Sequence, residues 1–97
     1  MASTSSLNEI VTFEVPDRIS ANRLCALLSS TRLAWVDLGE GAIVGAVLGS
    51  DPADLAQLLR GVETWITVEG LMAIRFEVDG RTYALHRRAS DRSTTAA

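Results

Sequence analysis

Apolar and polar residues alternate in short runs separated by two longer helical stripes. Residues 10–15, IVTFEV, put Val11, Phe13 and Val15 on one side and Thr12 and Glu14 on the other, the period of a half-buried strand, and Pro16 ends it. A helix follows, capped at Ser20 and running to about Ser30, with Leu24, Leu27, Leu28 and Thr31 as its inner stripe. Residues 33–38, LAWVDL, alternate again, and Gly39-Glu40-Gly41 reads as a turn into the continuous apolar strand 42–48. A three-residue connection pairs Val36 with Val44 and Ala34 with Ala46, and sets Trp35 opposite Gly45, where a large ring can cover a strand glycine.

Residues 51–68 form the strongest helical pattern. Leu55, Leu58, Leu59, Val62, Trp65 and Ile66 make one stripe, Gly61 lies on the polar side, and Glu69-Gly70 closes the helix. Segments 72–78 and 81–86 flank Asp79-Gly80, a two-residue hairpin signal, with Val78 facing Arg81, Phe76 facing Tyr83 and Ile74 facing Leu85. The order β-α-β-β-α-β-β predicts a ferredoxin-like two-layer α+β sandwich: two helices over one face of an antiparallel sheet, with an extra strand at an edge. Residues 9–86 form the single domain, between a Ser/Thr-rich segment 1–8 and a polar tail 87–97, both expected to be flexible.

The stretch from Gly41 to Leu55 has the layout of a phosphate site: strand, glycine turn, helix start. The details point elsewhere. Gly45 and Gly49 lack P-loop spacing, and the glycines at 39, 41 and 45 fall inside a hairpin. Ser50 or Asp51 serves as a cap, Pro52 occupies the first helical position, and Asp54 at the positive helix end competes with any anionic ligand.

Composition narrows the chemistry. The 97 residues carry a net charge of −3, against non-specific nucleic-acid binding, and all nine basic residues are arginine, so lysine chemistry is absent. The charge is uneven: −5 over residues 1–86 and +2 over 87–97. The single cysteine, Cys25, sits among leucines and is expected to be a core thiol in a reducing, cytoplasmic setting. Residues 1–10 carry no signal-peptide pattern, and no apolar run is long enough for a membrane. His86 and Cys25 are far apart in sequence, so the expectation is a protein that is not an enzyme, with no cofactor and no metal site. Arg87-Arg88-Ala89-Ser90 matches a basophilic kinase pattern, a motif common by chance.

The outward face offers more. Trp35 points away from Val36 and so shares the helix-free side with Ile43 and Val47. Asp37, Arg75 and Glu77 surround them, with Glu14 and cross-strand charge pairing expected nearby. These six residues, Trp35, Asp37, Ile43, Val47, Arg75 and Glu77, are the candidate binding site for a protein partner or a second copy. The alternative is a small-ligand sensor with its ligand near Gly39, Glu40, Gly41 and Gly49.

The stretches GAIVGAVLGSDPADLAQLLRGVETWI and IRFEVDGRTYAL also carry a family likeness. With an Ala/Val-rich strand, a Leu-Gly-Ser turn, a Trp-containing helix and a strand pair around Asp-Gly-Arg, about half of the chain resembles the effector-associated constant component family of actinobacteria. It differs at Asp51-Pro52, where more glycine is expected. The resemblance implies a small adaptor module of conflict systems without catalytic residues.

Overall fold

The computed structural model describes residues 9–49 and 51–87. The elements follow the order β1 (Glu9–Val15), α1 (Arg18–Ser29), β2 (Ala34–Asp37), β3 (Ala42–Leu48), α2 (Pro52–Glu69), β4 (Ala73–Val78) and β5 (Arg81–His86). Segments 1–8 and 88–97, including Arg88 and Ser90 of the kinase-like pattern, lie outside the described residues. The strands form one antiparallel sheet in the order β2-β3-β1-β4-β5.

β1 takes the central place because its inward residues are fully apolar. Val11, Phe13 and Val15 pair with Ala46, Val44 and Ala42 of β3, while Val11 and Phe13 meet Val78 and Phe76 of β4. All these but the half-buried Ala42 are buried, and with Leu24, Leu28, Leu58, Val62, Trp65 and Ile66 they make one core between sheet and helices. Phe13 and Phe76 have ring centroids 5.8 Å apart, and Tyr83 stacks on Phe76 at 5.3 Å. Burying one such phenyl group stabilises the fold by roughly 1.5–3 kcal/mol.

α1 starts earlier than its leucine pattern suggests. Asp17, not Ser20, is the cap: its Oδ1 accepts the Ser20 N–H at 2.8 Å. This bond holds the Asp17 carboxyl below the usual value of 3.8. Ala21, Leu24 and Leu28 form the buried stripe at i, i+3 and i+7, whereas Leu27 is exposed and Thr31 lies exposed beyond the helix end, so neither belongs to the inner stripe. α2 follows its pattern: Asp51 caps it by accepting from the Ala53 N–H, and Gly70 ends it in the left-handed region at φ 79°. Trp65 is buried and Gly61 exposed. The β4–β5 turn uses Asp79 at φ 54° and Gly80 at φ 75°, the left-handed pair of a tight hairpin.

Candidate functional site

The apolar inward side of the sheet lies beneath both helices, and among the described residues no element covers the outward side. The register stacks three rows across it. Trp35, Gly45, Thr12, Glu77 and Thr82 form the middle row. Asp37, Ile43, Glu14, Arg75 and Ala84 form the next. Val47 pairs with Ile10, and its N–H donates to the Leu33 carbonyl at 3.0 Å, which extends the third row to Leu33. The six residues expected on this face are therefore all brought to it.

Trp35 is the centrepiece. It lies opposite Gly45 in the predicted register and is 36 % exposed. A Cβ built on Gly45 would clash with the indole, pressing against Cε2 and Cζ2 and lying 2.7 Å from Nε1. The ring thus rests on the glycine backbone with one side to solvent. Ile43 and Val47 are half-buried beside it. Ile10, 52 % exposed, and Leu33 complete the patch. Ile10 was legible from its parity with Thr12 and Glu14, which the strand pattern starting at residue 10 had left unused.

The charged surround departs from expectation. Glu14 and Arg75 are direct cross-strand partners, yet neither they nor Glu77 and Asp37 form an ion pair within 4 Å among the described residues. All four are exposed, and in water such a pair gains less than about 1 kcal/mol while immobilising long side chains. Asp37 instead accepts the Gly39 N–H at 3.0 Å, shaping the turn into β3.

The ion pairs that do form lie on the helix side. Arg23 reaches Glu69 at 3.0 Å and ties α1 to the end of α2. Arg32 grips Asp54 with two bonds, Nη1 to Oδ2 at 2.8 Å and Nη2 to Oδ1 at 3.0 Å, and also donates to the Val47 carbonyl at 3.2 Å. Asp54 Oδ2 accepts the Gly49 N–H at 2.8 Å as well. Arg32 and then the Gly49 amide hold the Asp54 carboxyl below its ordinary 3.8. The phosphate-like layout is thus filled by the protein's own carboxylate: the amide and helix end that would receive an anion already have one. Arg32 lies 22 residues before Asp54 and has no local pattern to announce it.

Other candidates stay dispersed. Cys25 is half-buried on α1, its Sγ 3.8 Å from Ser29 Oγ, while His86 is exposed at the opposite sheet edge on β5. The turn 39–41 and Gly49 sit at opposite ends of β3, roughly 20 Å apart by strand rise, so they do not line one ligand site. Among the described residues no three His, Cys, Asp or Glu side chains gather as metal ligands, and no helix is long and apolar enough to cross a membrane. No family model matches the chain, and no curated protein or solved structure matches it.

Proposed function

We propose that this chain is a non-enzymatic interaction or adaptor module that binds a protein partner through the open face of its sheet. One observation carries the reading: Trp35, Ile43, Val47, Ile10 and Leu33 form a contiguous apolar patch on the side the helices leave uncovered. Such a patch has a cost in water and no role in the core, the signature of a surface that meets another molecule. The strand order, with β1 between β3 and β4 and β5 added outside, supports a ferredoxin-like sandwich within this proposal. The resemblance to the effector-associated constant component family favours an adaptor role. The single half-buried thiol of Cys25 is compatible with a reducing, cytoplasmic compartment.

The test compares co-purification from the native source for wild type, Trp35→Ala and the helix-side control Val68→Ala. A partner lost with the tryptophan and retained with the valine substitution supports the face. A partner retained by both variants assigns binding elsewhere.

A further inference from the structure

We infer that the open face receives a basic, apolar-anchored peptide segment of another protein, and not a second copy of this chain. The inference rests on the proposed use of that face and adds the chemistry of its occupant. The apolar patch does not end in neutral surface. Ile43 is the direct cross-strand neighbour of Glu14, and Trp35 lies two residues before Asp37 on the same side. Across the face, Glu14, Asp37 and Glu77 stand against Arg75 alone, a formal charge of −2, and among the described residues none of them forms an ion pair within 4 Å.

Two shallow depressions flank Glu14. One, of about 450 Å³, is bordered by Pro16, Ala73, Arg75 and Ala84. The other, of about 280 Å³, runs between Glu14, Glu40, Gly41 and Ile43. An arginine or lysine chain in the second lies between two carboxylates while a neighbouring aliphatic residue covers Ile43 and Trp35. A second copy brings the same −2 onto the −2 already present, a like-charge arrangement that opposes docking.

The test measures binding of a fluorescein-labelled hexapeptide, two leucines, two arginines and two leucines, against the same peptide with glutamates for arginines. The full chain should bind the basic probe about tenfold or more tightly than the acidic one, as charge complementarity requires. Glu14→Gln with Glu40→Gln, at unchanged thermal midpoint, should remove most of that preference. So should raising salt from about 0.05 M to about 0.5 M, where screening shortens to a few ångströms.

Equal binding of the two probes, or binding of neither, overturns the inference. If Trp35→Ala still breaks the native complex in that case, the face keeps its role and only the basic partner is lost. A dimer in sedimentation that dissociates on Trp35→Ala assigns the face to a second copy and overturns it too. About tenfold tighter probe binding by Arg88→Gln with Arg92→Gln would give the face to the chain's own basic segment, with the same consequence.

Discussion

The two halves of the open sheet face share one backbone and differ in everything else. Over β2, β3 and the start of β1 the outward residues are mainly apolar, Leu33, Trp35, Ile43, Val47 and Ile10, with Gly45 under the indole and Asp37 as the one charge at the strand end; over β4 and β5 they include Arg75, Glu77, Thr82, Ala84 and His86. The buried face beneath shows no such split, because both halves send Val, Phe, Ile and Leu into one core. The fold therefore tolerates a polar outward surface, and the β4–β5 half displays one. The apolar half is not demanded by the sheet, so its exposure asks for an explanation outside the domain's own stability.

The contrast can be attacked at several points. Emptying the shared core beneath both halves has the largest effect: Phe13→Ala should cost about 3–5 kcal/mol in urea unfolding, since the side chain is fully enclosed. Cutting the tie under the apolar half comes next. Asp54→Asn weakens the Arg32 clamp that also holds the Val47 carbonyl, and should cost about 2 kcal/mol at neutral pH, the scale of charge-assisted hydrogen bonds.

Acid distinguishes this loss from a packing defect. The folded-state pKa of Asp54 lies below its unfolded 3.8, so its contribution is complete above that value and fades as pH falls through the lowered pKa. The urea midpoints of wild type and Asp54→Asn should therefore converge as the pH falls below 3.8. A gap that stays constant down to pH about 2 would show that the carboxylate's charge is not what the variant loses.

Gly45→Ala acts on the apolar half alone. The added methyl displaces the Trp35 ring, at a cost of about 1–3 kcal/mol and with an emission change absent from a Trp35→Phe background. The smallest effect falls on the polar half. Glu77→Gln should stay within about 0.5 kcal/mol of wild type in thermal or urea unfolding, because its carboxylate is exposed and forms no ion pair within 4 Å among the described residues. A larger loss would mean the charged half supports the fold and the two halves differ less than their residues suggest.

Local patterns carried much of this architecture. Asp79-Gly80 specifies the β4–β5 register because two adjacent residues must accept positive φ, and the leucine stripe of α2 spans enough turns to define its own phase. The Trp35–Gly45 pairing follows from loop length and alternation alone. What escaped depends on distance or competition. The Arg32–Asp54–Gly49 clamp joins three segments with no common period. The start of α1 was settled by whether Asp17 or Ser20 offers the first N–H acceptor, and the apolar stripe says little about that choice; the Asp17 carboxylate three residues ahead of Ser20 was the available signal. The cross-strand charge pairing expected among Glu14, Asp37, Glu77 and Arg75 does not form ion pairs within 4 Å among the described residues, because solvent competes well for exposed charges, a balance that alternation does not encode.

The glycine under the indole bears on the thermodynamics of recognition. A tryptophan free to swing would have to surrender its rotamers on meeting a ligand, a loss of roughly 0.5–1.5 kcal/mol for a side chain immobilised at an interface. Seated on Gly45, the ring has already given up that freedom when the hairpin closes. An incoming molecule then meets a fixed platform, and the entropy of ordering it is charged to folding instead of to association.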